Sequence, residues 1–318
     1  MTNSFINILV IYILGKKMKY ITILLTILIT LVNAEENVKV IAFAQDTMSN
    51  DFRKAQVLEA KENAQKYKHI KFLYSDAQGQ TSLLIKQIDK FIIDKVDVII
   101  VGTNDAQAVV PVVTKAYKNG IGVIILDRGI DGENYTSFIN SDNIKIGKMG
   151  AEYIAKQLNG KGNVLLFEGL QKADVTQLRT KGFMDEISKY KDINIIKRTG
   201  NYLRKDAIIE TEKLVKDNIK FDAIFSESDS MLSGFRAAYE KAGLKPSNII
   251  TVGCDYTSEA KESIKKGTQT ASILFPLGGK ESIDVALEIL EKKDVTKHIV
   301  IPVKLVTKEN VEEVKPVF

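Results

Sequence analysis

The sequence predicts an α/β protein: two doubly wound parallel-sheet domains joined by a three-segment hinge. Three observations predict it. Short apolar runs rich in β-branched residues alternate with amphipathic stretches from Val38 onward. That is the pattern of parallel strands covered by helices on both faces. The run Gly120-Ile121-Gly122-Val123-Ile124-Ile125-Leu126 stops abruptly at Asp127-Arg128. In an open α/β sheet the carboxyl ends of strands face the ligand crevice, so a strand ending in an acid and an arginine marks such a crevice. Two blocks of similar βα content flank residues 139–143, which read as a crossing from one domain to the other.

Taken in order, strand-like runs fall at 38–44, 70–74, 96–101, 121–126, 163–167, 193–197, 223–225, 249–252 and 270–275. Helical patterns lie between them. Leu83, Leu84, Gln87, Ile88 and Phe91 share one face, and Ile144, Gly147, Met149, Tyr153 and Leu158 do so within looser limits. Turn signals such as Lys118-Asn119-Gly120, Leu158-Asn159-Gly160 and Lys241-Ala242-Gly243 close helices. Return crossings are expected near 272–276 and 302–304. The expected lobes are therefore 38–141 with 276–302, and 142–275 with 303–318, with a ligand cleft between them. The last stretch, 308–318, has no assignable pattern.

The composition sets bounds. With 318 residues, 45% hydrophobic and 27% charged, the chain suits two globular domains. A net charge of +5 with interleaved acids and bases leaves no basic stripe for nucleic acid. The single cysteine, Cys254, excludes an intrachain disulfide and reads as a small buried residue. His69 and His298 are the only histidines, and both suit surface positions near strand starts. There is no metal-ligand spacing, no Gly-x-Ser-x-Gly elbow and no phosphate loop. These features argue against an enzyme and against a cofactor.

The amino terminus reads as an export signal. Met18-Lys19 precedes an apolar run over 20–32, and Val32-Asn33-Ala34 has the small-residue ending of a signal-peptidase site. Met18 is expected to be the start, 1–17 an upstream extension, and cleavage to follow Ala34. If Met1 is the start, two apolar stretches broken by Gly15-Lys16-Lys17 would give an uncleaved anchor.

The strand ends carry the candidate site. Asp accepts hydrogen bonds and Arg donates a rigid fork of them, so Asp127 and Arg128 can clasp adjacent hydroxyls of a polyol; the structural alternative is an ion pair at a strand end. After the first run come Asn50, Phe52 and Arg53. Asn50 equally reads as a helix cap, and Phe52 as a packing residue. Tyr202 offers an aromatic face for the C–H face of a sugar ring. Ser228 stands in a polar cluster that also suits a cap, and Asp255 lies just beyond the run ending at Val252. Taken together, polar and aromatic residues at five strand ends in two domains favour a cleft.

Here the chain resembles the type I periplasmic binding proteins for monosaccharides, the ribose- and galactofuranose-binding group. The likeness runs from about Val38 to Lys308. It rests on Val40-Ile41-Ala42-Phe43, Ile124-Ile125-Leu126-Asp127-Arg128, Ser141-Asp142-Asn143-Ile144 with Gly147, Phe167-Glu168-Gly169, Arg179-Thr180-Lys181-Gly182-Phe183, Ser228-Asp229-Ser230-Met231 with Gly234, and Val252-Gly253-Cys254-Asp255. The resemblance implies that Asp127 and Arg128 clamp sugar hydroxyls. It further implies that Asp255 is the second domain's acid, Asn50 a polar contact, and Tyr202 a stacking ring. Phe52-Arg53 is similar to the aromatic-Arg pair of the galactofuranose branch. There are departures from the ribose pattern. Gln177 stands where an arginine is expected, Ser228 where Asn is expected, and Phe275 (or Leu274) where a hinge Gln is expected. Cys254 replaces a bulky aromatic, and the chain has no Trp. The implied function is an exported, monomeric solute-binding protein. It would deliver a monosaccharide-like ligand to a membrane ABC permease, or signal to a chemoreceptor or histidine kinase.

Overall fold

A computed structural model describes residues 38–318. The expected signal segment and both candidate starts, Met1 and Met18, lie outside the described residues. Among the described residues no helix is long and apolar enough to cross a membrane.

The chain builds two six-stranded sheets. The first half runs β1 (Lys39–Gln45), α1 (Asp51–Ala64), β2 (Ile70–Asp76), α2 (Thr81–Ile93), β3 (Val98–Gly102), α3 (Val110–Lys118), β4 (Gly122–Leu126) and β5 (Ser137–Asn140). The second half runs α4 (Asn143–Gln157), β6 (Lys161–Glu168), α5 (Asp174–Ile187), β7 (Asp192–Thr199), α6 (Arg204–Lys216), β8 (Ala223–Ser226), α7 (Asp229–Lys241), β9 (Ile250–Asp255), α8 (Ser258–Lys266) and β10 (Ala271–Leu274). Then come α9 (Gly279–Leu290), β11 (His298–Val300) and β12 (Lys304–Thr307). The sheet orders are β11-β5-β4-β3-β1-β2 and β12-β10-β9-β8-β6-β7. Pairing is parallel throughout the first sheet's central strands. In the second sheet β12 runs antiparallel to β10. The chain thus passes between sheets after β5, after β10 and after β11.

Strands β5, β11 and β12 escape sequence pattern because they are only three or four residues long and, unlike the equally short β8 and β10, are not continuous buried runs. A run that short shows no resolvable period. His298 opens β11, where its ring stacks on Phe138 at 5.0 Å.

Each sheet is buried on both faces, which explains the unbroken apolar runs. Side chains alternate along a strand, so Ala42, Ile99, Val101, Val123 and Ile125 meet Leu84, Ile88, Phe91 and Val112. Their neighbours Ile41, Phe43, Val98, Ile100 and Ile124 meet Val57, Ala60, Ile283 and Ala286 of α1 and α9. The second sheet repeats the scheme. Val164, Leu166, Phe225 and Cys254 pack on Ile146, Ile154 and Phe183 of α4 and α5. Leu165, Phe167 and Ile224 pack on Ala207, Leu214 and Phe235 of α6 and α7. Cys254 is fully buried, and burial raises its thiol pKa.

Candidate ligand-binding site

Both sheets present their carboxyl ends to one region. Nine of the ten residues expected at the site line a single cavity there: Asn50, Phe52, Arg53, Asp127, Arg128, Tyr202, Ser228, Asp255 and Phe275. They stand at or beyond the ends of β1, β4, β7, β8, β9 and β10. The space left among them is about 20 Å³, roughly one water molecule.

The first half supplies a charged lattice. Asn50 caps α1, its Oδ1 accepting from Arg53 N at 2.9 Å. The cap fixes the start of the helix, and Arg53 then projects one turn in, 1% exposed. Its guanidinium donates to Asp46 Oδ1 at 2.9 Å, to Asp127 Oδ2 at 2.9 Å and to the Thr103 carbonyl at 3.1 Å. Arg128 donates to Asp46 Oδ2 at 3.2 Å. Asp127 and Arg128 therefore pair with other residues and not with each other. A buried arginine with these partners is held in one orientation, which a point charge on a flexible stem would not be.

The second half supplies Tyr202, Ser228, Asp255 and Phe275. Ser228 caps α7, accepting from Met231 N at 3.2 Å. Phe275 stacks on Phe52 at 5.0 Å and 20°, giving the cavity an apolar wall shared by both halves. Burial pushes the Asp255 carboxyl well above the usual range; a protonated carboxyl donates as well as accepts.

Two features mark this region as built for something beyond packing. Asp127, Tyr202 and Asp255 have φ of 70°, 60° and 106°, sparsely populated for residues with a Cβ and costing about 1–3 kcal/mol each. Asp127 Oδ1, Arg128 Nε and Asp255 Oδ2 are buried with no hydrogen-bond partner. Such orphans cost about 1–3 kcal/mol apiece, and here two acceptor oxygens and one donor nitrogen gather around one cavity.

Gln177 is the one expected site residue that does not line this cavity. It is exposed, donates to the Gln171 carbonyl at 3.3 Å, and lines an adjoining cavity of about 460 Å³ together with Arg128. Arg179 and Val175 line the small cavity. The reason is helical period: Val175 and Arg179 are one turn apart on the inner face of α5, while Gln177 points away. Arg179 Nε donates to Asn143 Oδ1 at 2.8 Å, Nη1 donates to the Glu227 carbonyl at 2.6 Å, and its head lies 4.5 Å from the Phe275 ring. A helical-face count from Phe183 back through Arg179 to Val175 is the signal that finds this arginine.

Contacts join the two halves around the cavity. Asn50 Nδ2 donates to the Tyr202 carbonyl at 2.7 Å, Ser230 Oγ donates to Asp51 Oδ2 at 2.9 Å, and Gly129 N donates to Asp174 Oδ2 at 2.8 Å. No cluster of His, Cys, Asp or Glu suited to a metal is found among the described residues.

Two sheets whose carboxyl ends meet over shared polar groups, with three chain crossings between them, define a bilobal α/β binding protein. The chain belongs to the periplasmic binding protein family, whose domain model matches residues 41–294. It is 28% identical over 271 residues to the ribose import binding protein RbsB of Bacillus subtilis (strain 168), covering 85% of this chain and 87% of that protein. It is 29% identical over 242 residues to the galactofuranose-binding protein YtfQ of Escherichia coli (strain K12), covering 73% and 76%. Among solved structures, an ABC transporter solute binding protein from Bacillus halodurans C-125 with bound myo-inositol superposes with a TM-score of 0.82. The two are 30% identical, covering 88% of this chain and 98% of that one. The family consists of binding proteins, not enzymes.

Proposed function

We propose that this protein captures a monosaccharide or related polyol between its lobes, 38–141 with 276–302 and 142–275 with 303–318, and delivers it to a membrane ABC permease. The observation that carries this is the set of three buried, unpartnered polar atoms, Asp127 Oδ1, Arg128 Nε and Asp255 Oδ2. A polyhydroxy ligand pairs all three, because each hydroxyl both donates and accepts. Asn50, Arg53, Arg179 and Ser228 add polar contacts, and Phe52, Tyr202 and Phe275 supply apolar faces for ring C–H groups. With room for about one water, the cavity admits a sugar only as the lobes part. Closure then buries the ligand's hydroxyls in a fixed network. The relatives named above as ribose- and galactofuranose-binding support a sugar, and myo-inositol in the solved neighbour supports a polyol. Export through a signal peptide cleaved after Ala34 and a monomeric state complete the proposal.

A thermal-shift screen against pentoses, hexoses and inositols tests it, with calorimetry on any hit. At about a thousand times Kd, linkage adds about 4 kcal/mol, a shift of several degrees for lobes of this size. A selective shift by one sugar or polyol is expected. A flat response across the panel would refute a sugar receptor.

A further inference from the structure

Beside the Tyr202 hydroxyl lies a carboxyl that the sugar contacts do not use. Glu227 stands just past β8 and is fully buried. Its Oε2 accepts from Gly169 N at 2.8 Å and lies 3.4 Å from Tyr202 Oη. Its Oε1 accepts from Thr180 Oγ1 at 2.8 Å. Its main-chain carbonyl accepts from Arg179 Nη1. One residue thus ties together the loop after β6, helix α5 and the loop after β7, and touches the two second-lobe groups, Tyr202 and Arg179, that face the cavity.

The Tyr202 ring packs in the apolar cluster with Phe167, Ala173, Val175 and Met231, and its hydroxyl end is held by polar groups. Gly169 lies flat against it, so close that a Cβ there would overlap the ring. Thr176 Oγ1 donates to Tyr202 Oη at 2.8 Å, which leaves the phenol proton for Glu227. The hydroxyl chain therefore runs Thr176 to Tyr202 to Glu227. On the other oxygen, Thr180 Oγ1 also lies 3.1 Å from Glu168 Oε1. One hydroxyl proton cannot serve both carboxylates, so a proton on Glu227 has a ready acceptor in Thr180.

We propose that Glu227 is a positioning residue for the candidate sugar site, holding the Tyr202 ring and the Arg179 guanidinium in place. Gain or loss of its proton then changes the affinity of that site. This rests on the sugar-binding reading above. Ionised Glu227 attracts the Tyr202 hydroxyl proton across 3.4 Å. Its charge also attracts Arg179. Protonated, it turns to Thr180 and relaxes both. The charged and titratable groups around it are Arg179 on α5, Glu168 at the end of β6 with Lys197 of β7 at 3.3 Å from it, and Tyr202 itself. Asp229 on α7 turns the other way, toward Tyr256 N and Ser272. Burial, opposed by the Gly169 N–H and Arg179, lifts Glu227 to about 7, so the change falls near neutral pH.

The test is calorimetric titration with D-ribose, D-fructose, D-allose, L-arabinose and myo-inositol between about pH 6 and pH 8.5 at constant ionic strength, spanning the Glu227 transition. For whichever sugar binds, affinity should rise with pH by up to about tenfold, since one pKa unit of coupling is a factor of ten. Glu227→Gln keeps an acceptor for Gly169 N and Tyr202 and donates to Thr180, and its profile should be flat. Tyr202→Phe, which keeps the ring and removes one of the two links, should have a shallower slope than wild type, and it serves if Glu227→Gln fails to fold. A flat wild-type profile, or the full wild-type slope retained in either variant, would overturn the proposal. If no sugar binds, the sugar reading fails separately, and ¹⁹F resonances of 3-fluorotyrosine-labelled protein decide. The signal missing from Tyr202→Phe should titrate near neutrality in wild type and not in Glu227→Gln. A signal that stays still would overturn the positioning role.

Discussion

Asp127 shows how a single side chain serves the lattice and the proposed ligand together. One of its oxygens holds Arg53 and the other has no partner. Asp127→Ala should abolish sugar binding in calorimetry. It should also lower stability by about 3–5 kcal/mol in denaturant unfolding, because the buried Arg53 loses a counter-charge. Binding retained at wild-type affinity would remove Asp127 from the site. Gln177 and Arg179 form a sharper pair. Arg179→Gln should weaken binding by about tenfold to a hundredfold, as expected when a charged hydrogen bond worth about 1.5–3 kcal/mol is lost, whereas Gln177→Ala should leave it within about twofold. Equal losses in the two titrations would contradict the facing of α5. That Asp127, Arg128, Asn50, Tyr202 and Asp255 gather around one cavity was legible because each lies at or just past the end of a conspicuous strand. Arg179 was not, because it sits inside a helix whose inward face is decided by packing.

At the scale of elements, α4 and α5 set where Arg179 stands. They approach so closely that a Cβ on Gly147 would overlap the Arg179 carbonyl, and one on Gly182 the Ile144 carbonyl. Backbone this close leaves no room for a methyl group. Gly182→Ala should therefore push the helices apart, costing about 1–3 kcal/mol and weakening sugar binding through a displaced Arg179, as read by unfolding and calorimetry on the same sample. Full affinity in a destabilised variant would separate the helix packing from the site. Caps have a similar double use. Asn50 and Ser228 each cap the start of a helix and line the cavity, so a capping role does not take them away from it.

For the molecule as a whole, buried carboxyls tune stability against pH. Glu227 is lifted by burial from 4.5 to about 7, and Asp229 by burial from 3.8 to about 6. Between these limits the folded state keeps a proton that the unfolded chain has lost. Stability from these groups is therefore greatest in mild acid and falls as pH rises toward 7. Glu227→Gln should become more stable relative to wild type as pH rises from about 4.5 to 7, measured as the difference in unfolding free energy. A difference constant across that range would show that Glu227 does not titrate there.

The sequence by itself determined the two parallel sheets, the residues at their carboxyl ends and the periplasmic binding protein resemblance. All of these are written in local runs: buried strands must be apolar, and the residues at their carboxyl ends must turn and face the crevice. Tertiary structure alone decided the short strands β5, β11 and β12, which pair only because neighbouring strands offer them an edge. It decided that Asp127 and Arg128 take their partners from Arg53 and Asp46, residues many positions away. It also decided that Arg179, not Gln177, lines the small cavity and that Glu227 lies beside the Tyr202 hydroxyl. These depend on which side of a helix meets which loop once both lobes are packed, and no local pattern records a contact between distant segments.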